Sequence, residues 1–277
     1  RAPFYAVLLS SVVNVVLDLV FVAVFHWGIA GAAYATIFAQ YVSGIGILLY
    51  ILFRCRSLFP ERKDLCFDGG ILKEIAGLSS LTCLQQSVMN FGILMVQGLV
   101  NSFGATTMAA FAAAVKIDTF AYLPVQDFGN AYSTFIAQNY GAGNKERIHR
   151  GTKESFAIST AFSLVISALV FAFAAPLMQI FVSSAETAVI ASGVRYLRIE
   201  GAFYFGIGCL FLLYGYYRAI KRAEMSVVLT VISLGIRVLL AYVLSATFLG
   251  ETGIWMAIPI GWILADLTGL LYMRKTW

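Results

Sequence analysis

The sequence predicts an all-α fold, a polytopic membrane helix bundle with about eight transmembrane helices. Of its 277 residues, 60% are hydrophobic and 12% are charged, whereas a soluble domain has about 45–50% apolar and about 25% charged residues. Apolar runs of about 20 residues, the length that crosses a bilayer, recur along the chain. Basic residues gather in every second loop between these runs, as the positive-inside rule describes. We therefore predict that the chain is embedded in a lipid bilayer.

The apolar runs define the predicted spans in order. They cover residues 4–25, 29–53, 75–100, 106–138, 156–182, 189–217, 226–249 and 253–273. The fourth span has the weakest hydropathy signal because it contains Lys116, Asp118, Pro124, Gln126 and Asp127. An aqueous cavity beside this span would lower the cost of its charged groups.

The loops indicate the orientation of the spans. The turns 26–28, 101–105, 183–188 and 250–252 contain no Lys or Arg. Fifteen of the 19 basic residues lie on the opposite side: Arg1, Arg54, Arg56, Arg62, Lys63, Lys73, Lys145, Arg147, Arg150, Lys153, Arg218, Lys221, Arg222, Arg274 and Lys275. This side is predicted to be cytoplasmic, with both chain ends on it, in the plasma (inner) membrane. Arg195 and Arg198 lie near the outer end of span six, where long side chains snorkel to the headgroups.

A faint internal repeat predicts the domain organisation. Gly31–Ala35 opens span two and Gly253–Ala257 opens span eight in the same orientation, as parallel repeats do. Residues 1–53 would then be the last two helices of an N-terminal lobe, 54–74 a cytoplasmic inter-lobe loop, and 75–277 a complete C-terminal six-helix lobe. The chain begins with Arg1 and enters an apolar run at once, so we expect about four further helices before it.

Several classes of function are disfavoured by composition. The four cysteines show neither metal-ligand spacing nor a disulfide framework, and His26 and His149 form no cluster, so we expect no metal site. The net charge of +5 is explained by membrane orientation, and we expect no nucleic-acid partner. A membrane-embedded enzyme would need a cluster such as paired His and Asp motifs at a membrane face.

Ionisable residues inside spans are the first candidates for a functional site, because they are costly there and usually face a cavity or a partner. They are Asp18, Lys116, Asp118, Asp127, Glu200, Arg237 and Asp266. Lys116 and Asp118 are two residues apart, so they point about 200° apart on a helix and cannot simply pair. Each is predicted either to face a cavity, where it meets substrate or relays protons, or to form an interhelix ion pair.

Glu200 and Asp18 are the other carboxylates predicted to bind a coupling ion. Glu200 lies in the outer half of span six, where it can hold a proton, bind Na⁺ or pair with Arg195 or Lys116. Asp18 lies inside span one. It could equally form hydrogen bonds with the helices that are expected to precede this chain, instead of binding a coupling ion. Asp266 and Arg237 could pair across spans seven and eight, and we expect a structural role for both.

Aromatic and amide side chains complete the candidate substrate site. Tyr204 belongs to an aromatic-rich stretch of span six that could stack on flat cationic compounds, although packing is the commoner role of such rings. Gln85, Gln86 and Asn90 lie in span three, which contains no carboxylate. Amides can bind substrate or coordinate Na⁺ weakly, but they cannot carry a proton.

Span four ends in Gln138-Asn139-Tyr140-Gly141-Ala142-Gly143, followed by a basic loop. This ending resembles the hallmark of the multidrug and toxic compound extrusion (MATE) family, which joins the second and third helices of that family's C-terminal half. Residues 14–18 and 27–33 are similar to the family's fifth and sixth helices, and residues 196–199 and 217–219 to its tenth. Gly141 and Gly143 permit a tight turn, so we interpret Gln138, Asn139, Gly141 and Gly143 as structural, either as a fixed turn or as a hinge, rather than as a ligand site.

The resemblance implies twelve helices in two six-helix lobes around a central cavity. It also implies multidrug efflux of small, often cationic, organic compounds by antiport with Na⁺ or H⁺ and alternating access, with no cofactor beyond the coupling ion. Some members place a cation-binding glutamate in the seventh helix, a position this chain does not match. The alternatives are a related lipid-linked oligosaccharide flippase, a membrane-embedded enzyme and a membrane scaffold.

Overall fold

The computed structural model describes residues 2–56 and 66–276, so Arg1, Arg62 and Lys63 lie outside the described residues. The described residues form helices and turns without a strand, which confirms the all-α prediction. The helices are α1 (Ala2–Asp18), α2 (Gly28–Arg54), α3 (Gly69–Ser102), α4 (Ala105–Gly141), α5 (Lys145–Gln179), α6 (Thr187–Gly201), α7 (Tyr204–Ala219), α8 (Ala223–Thr230), α9 (Ile236–Ser245) and α10 (Glu251–Thr276). The chain divides into two compact units, Arg1–Gly70 and Ile71–Trp277.

The first unit is a helical hairpin. Helix α1 continues through a π-helical segment, Leu19–Val24, before a short turn leads into α2. Only Gly31, Ala35 and Ala39 are buried among the described residues of this unit, and their spacing of four places them on one face of α2. Ser10 Oγ donates to the carbonyl oxygen of Ala39 at 2.6 Å. Small residues thus let the two backbones approach closely, as is common between helices in membranes.

The second unit is a bundle in which α4 packs against α5, α6 and α7, and α10 packs against α6, α7 and α9. Its core contains Trp255, which is fully buried. The indole stacks on Phe111, with ring centres 5.6 Å apart, and meets Tyr196 edge-on at 4.9 Å. The aromatic core therefore lies where α4, α6 and α10 meet.

Three helices of the second unit are interrupted. The predicted span 189–217 consists of α6 and α7, which are bent by 52° at the break between Gly201 and Tyr204. Helix α5 has a non-helical residue at Phe173, three residues before Pro176, whose ring removes a helical hydrogen bond. A π-helical segment, Val231–Gly235, joins α8 to α9. Such interruptions expose backbone and redirect side chains, and they are common at functional sites.

The helix lengths confirm a multi-pass membrane protein. Seven of the described helices are long and apolar enough to cross a membrane, or eight if the bent α6–α7 pair counts as one span. Large apolar side chains on their outer faces are exposed, as lipid contact requires: Phe4, Leu8, Phe91, Leu164 and Leu271 are examples. The predicted number of about eight spans agrees with this structure.

Two predicted spans begin later in the sequence than the helices that contain them. Helix α3 begins at Gly69 rather than 75, and α5 at Lys145 rather than 156. Hydropathy detects only the continuous apolar part of a helix. Helix α3 begins with two glycines and has Lys73 and Glu74 in its second turn, and α5 begins with Lys145-Glu146-Arg147. At α5 the Asn144 side chain accepts a hydrogen bond from the Arg147 N–H at 3.0 Å, which caps the helix well before its apolar part.

Candidate functional site: a buried carboxyl pair in the second unit

Asp118 and Glu200 lie together inside the second unit. Asp118 on α4 is 3% exposed, and Glu200 in the last turn of α6 is 6% exposed. The two carboxyl groups are close enough to interact with each other. Tyr204, the first residue of α7, donates its hydroxyl hydrogen bond to Asp118 Oδ1. Two acidic residues separated by 82 positions in the chain are thus brought to one place.

The break between α6 and α7 positions this group. Glu200 precedes the break and Tyr204 follows it, so two helix ends direct their side chains toward α4. The Phe203 N–H donates to the carbonyl oxygen of Glu200 at 2.9 Å, which satisfies one backbone group freed by the break. A straight helix would carry Glu200 and Tyr204 on one face by their spacing of four, but the bend changes the direction of the second.

Tyr196 and Arg237 complete the surroundings of the pair. Tyr196, one helical turn before Glu200, is 2% exposed and interacts with both carboxyl groups. Arg237 begins the regular part of α9 after the π-helical segment, and its guanidinium acts on both carboxyl groups electrostatically. It forms no ion pair with either of them in the described part of the chain. The pair therefore has a distant positive charge rather than a direct counter-ion.

The chemistry of this arrangement is that of an ion site. Asp118 Oδ2 and Glu200 Oε2 are buried without a hydrogen-bond partner. Two neighbouring carboxylates repel each other strongly where water is excluded, so a proton or a bound cation between them is the stable arrangement. Carboxylate and hydroxyl oxygens also suit a hard cation. The residues present can therefore hold either H⁺ or Na⁺.

Lys116 lies on the opposite face of α4 from Asp118, as their spacing predicts. Its side chain is exposed, and the ammonium lies 5.8 Å from the centre of the Phe181 ring. Lys116 and Glu186 line an open pocket of about 560 Å³. The structure thus separates these two sequence candidates and places Lys116 outside the carboxyl pair.

Asp18 belongs to the first unit. It is the last residue of α1, directly before the π-helical segment, and is half-buried. Its Oδ1 and the Nδ2 of Asn14, one turn earlier, are buried atoms without a hydrogen-bond partner. The described residues of the hairpin thus provide no hydrogen-bond partner for this oxygen of Asp18.

The three amides on α3 do not share one environment. Gln85 is 5% exposed, whereas Gln86 and Asn90 are exposed. Successive residues on a helix point about 100° apart, so Gln85 and Gln86 cannot line the same surface. Whether any of them binds substrate stays a prediction.

The segment Gln138–Gly143 comprises the last turn of α4 and the first two residues of the connection to α5. Gly143 has φ of +69°, a left-handed conformation that glycine adopts without strain. Asn139 Nδ2 donates to the carbonyl oxygen of Phe135 at 2.7 Å, and the Asn144 N–H donates to the carbonyl oxygen of Asn139 at 3.0 Å. These contacts are those of a helix-ending turn, although its role as a hinge stays a prediction.

The alternative in which Glu200 pairs with Arg195 is not realised. Arg195 Nη1 instead bonds Glu251 Oε1 at 3.2 Å. Glu251 Oε2 also accepts hydrogen bonds from Thr107 at 2.9 Å and Ser192 at 3.1 Å. This network ties the ends of α4, α6 and α10 together, which the sequence alone did not indicate because the three helices are far apart along the chain.

The pair suggested between Asp266 and Arg237 is also not formed. Asp266 is 8% exposed and interacts with Cys209 on α7, whereas Arg237 acts on the Asp118–Glu200 pair. Sequence reasoning therefore missed Arg237 and Tyr196 as neighbours of the site. A spacing of four between Tyr196 and Glu200 was a usable signal, but only the fold brings α9 to them.

A family model and several known proteins match this chain. The MatE family model matches residues 81–243, more than half of the chain. "Probable multidrug resistance protein YpnP" of Bacillus subtilis is 30% identical over 277 residues, which are 99% of this chain and 61% of that protein. "Probable multidrug resistance protein NorM" of Thermotoga maritima is 27% identical, over 98% of this chain and 59% of that protein.

A solved structure agrees in fold. The outward-facing conformation of a multidrug resistance MATE family transporter of the MOP superfamily matches with a TM-score of 0.91 and 25% identity, over 98% of this chain and 61% of that one. The chain thus spans about three fifths of the length of these relatives. The chain belongs to the multidrug and toxic compound extrusion (MatE) family, whose members are transporters and not enzymes.

Proposed function

We propose that the full protein exports small organic compounds, often cationic, by antiport with Na⁺ or H⁺. The names of the related multidrug resistance proteins support the substrate class. The protein would act in the plasma membrane, with the basic loops and both ends of this chain on the cytoplasmic side, because the lysines and arginines gather there. Its partners would be the bilayer, the organic substrate and four helices that precede this chain in the whole protein.

The observation that carries the coupling proposal is the buried Asp118–Glu200 pair. Asp118 and Glu200 are 3% and 6% exposed, and each has one oxygen without a hydrogen-bond partner. A transporter needs a group whose charge changes when the driving ion binds. A carboxyl pair beside a tyrosine hydroxyl offers this change, since it is stable with an added proton or Na⁺ and strained without one.

The position of the pair suggests how ion binding is transmitted. Asp118 is on α4, Glu200 ends α6 and Tyr204 begins α7, so three helix segments meet at one charge. Loading or unloading the ion changes the repulsion between Asp118 on α4 and Glu200 on α6. Glu200 lies next to the 52° break between α6 and α7. A conformation that brings the two carboxyl groups together binds the ion more tightly, and the ion therefore shifts the population toward it. Alternating access would follow from this difference.

The test uses the full-length parent protein in proteoliposomes. A Na⁺ gradient and a pH gradient are imposed separately while the movement of a fluorescent organic cation is followed. We expect one gradient to drive export, and we expect Asp118→Asn and Glu200→Gln each to abolish its effect while leaving the protein folded. Export that stays fully coupled in both variants would refute the coupling site.

Control variants separate a loss of charge from a loss of the site. Asp127→Asn removes an exposed carboxylate from the same helix as Asp118, and Glu154→Gln removes an exposed one from α5. Both should export at the normal rate. If the parent moves no organic cation under either gradient, the lipid-linked oligosaccharide flippase becomes the better hypothesis.

A further inference from the structure

A ladder of serines runs along α5. Ser155, Ser159, Ser163 and Ser167 follow one another at intervals of four residues, so they form one ridge along the helix. Ser155 is half-buried, whereas Ser159, Ser163 and Ser167 are 3%, 0% and 7% exposed. Ser155 lies near the end of α5 that carries Lys145, Arg147, Arg150 and Lys153. The ladder therefore leads from that end into the interior of the second unit.

The hydroxyl groups of the three buried serines have no hydrogen-bond partner. Other hydroxyls in this chain are satisfied by their own helix: Thr119 donates to Val115 at 2.8 Å, Thr230 to Ser226 at 2.9 Å and Thr268 to Leu264 at 2.8 Å. An unpaired buried hydroxyl costs free energy, and an ordered water is its usual partner. Three such groups in a row indicate a common ligand rather than three separate exceptions.

The spacing of the serines suits water. A Cβ placed on Gly208 of α7 would lie 2.9 Å from Ser163 Oγ and 3.0 Å from Ser159 Oγ. The two oxygens are therefore at most about 6 Å apart, a separation that one water spans with two hydrogen bonds of about 2.8 Å each. Gly208 has no side chain, so the two hydroxyls lie close to the backbone of α7, and Val125 Cγ1 lies 3.1 Å from the same Cβ position.

The ladder ends beside the carboxyl pair. Ser167 lies one turn before Val170, whose Cγ1 would be 3.2 Å from a Cβ on Gly201, the residue after Glu200. The Tyr204 ring lies 3.7 Å from the same point, and its hydroxyl bonds Asp118. Gly208, which faces Ser159 and Ser163, is one turn after Tyr204. The inner end of the serine ladder therefore lies near Gly201 and Tyr204, which adjoin Glu200 in the chain and bond Asp118, respectively.

We propose that the serine ladder binds a file of water molecules that carries protons between the carboxyl pair and the aqueous phase at the basic-loop end of α5. A protonated carboxyl of the pair gives its proton to the nearest water and becomes a carboxylate, and each water and hydroxyl along the file accepts one proton and passes another on. The proton leaves at the Ser155 end as hydronium, in the inward direction that the proposed antiport requires. Arg237, Tyr196 and Tyr204 face the carboxyl pair. Arg150, Lys153 and Glu154 lie near the Ser155 end of the file. The proton role rests on the proposed function, whereas the presence of water does not.

Silver labelling tests for the water directly. Ag⁺ is small, travels through water and blocks thiols, so Ser155→Cys, Ser159→Cys and Ser163→Cys are made in a cysteine-free version of the full-length parent. After Ag⁺ treatment, the remaining thiols are counted with a maleimide in denaturant. The control is Ala174→Cys, a fully buried position on the same helix beyond the ladder. The ladder cysteines should react at least about tenfold faster than the control, because a dry buried thiol reacts only when the helix opens locally.

The rate of transport tests the proton role. Ser159→Ala with Ser163→Ala removes two hydroxyls without adding volume, and Thr230→Val removes a buried hydroxyl that is already bonded to its own helix. Export driven by a pH gradient should slow about tenfold in the double variant and stay normal in Thr230→Val, with unchanged substrate affinity in both.

The two readouts separate the possible failures. Ladder cysteines that react no faster than the control would show that the serines only let α5 and α7 pack closely, and the water file would be refuted. Reactive cysteines with normal pH-driven export in the double variant would refute the proton role. If Asp118→Asn and Glu200→Gln keep coupled export, the proposed coupling fails, and the silver result still decides whether the ladder holds water.

Discussion

The two units use opposite kinds of interior. The first unit buries only Gly31, Ala35 and Ala39 among its described residues, and its half-buried Asp18 has an oxygen without a partner. The second buries a large aromatic core, a carboxyl pair and the network around Glu251. A two-helix hairpin has a single contact line, so it can bring backbones together but cannot surround a polar side chain. A bundle of several helices can surround one, which explains why the candidate ion site lies within the second unit.

The largest expected effect comes from a matched pair of tryptophans. Trp255→Ala removes a fully buried indole from the second unit, and we expect the free energy of unfolding to fall by about 3–5 kcal/mol. Trp27→Ala in the first unit removes an indole that is 50% exposed, so its cost should be under about 1 kcal/mol. Thermal unfolding in detergent measures both. Equal losses would contradict the contrast between the two interiors.

A smaller effect distinguishes two glycines of α2. A Cβ on Gly31 would lie 3.1 Å from backbone atoms of Phe21, which cannot move aside as a side chain does. Gly31→Ala should therefore destabilise the hairpin by about 1–3 kcal/mol. Gly44 has nothing within 4 Å of its Cβ position, so Gly44→Ala should be neutral or slightly stabilising. If both substitutions have the same sign, close backbone packing does not hold the first unit together.

The smallest expected effect concerns the ion pair between Lys221 and Glu74 in the second unit. The atoms are 2.7 Å apart, but the side chains are 68% and 57% exposed. The carboxylate raises the pKa of Lys221, so any stabilisation is present at neutral pH and is lost as the pH rises through that pKa. Lys221→Ala should lower the melting temperature only slightly, and added salt should reduce the difference. A loss comparable to that of Trp255→Ala would show that exposed charges matter as much as the core.

Local patterns predicted much of the fold and part of the site. The number of spans, the basic loops on one side and the turn at Gln138–Gly143 follow from short stretches of sequence. The divergence of Lys116 and Asp118 follows from helix geometry alone. The start of α5 at Lys145 was missed because its first turns are polar, and the Arg195–Glu251 pair was missed because 56 residues separate its partners.

By itself, the sequence determined which segments are apolar enough to cross a membrane, since this depends on hydrophobicity within about 20 residues. It also limited the candidate ion ligands to a few residues, because charges inside spans are costly and therefore rare. Only the tertiary structure decided that Asp118 and Glu200 lie together, that Arg237 acts on that pair rather than on Asp266, and that three serine hydroxyls of α5 are buried without a partner. These relations join residues on different helices, and helix packing determines them through the shapes of whole surfaces rather than through any local pattern.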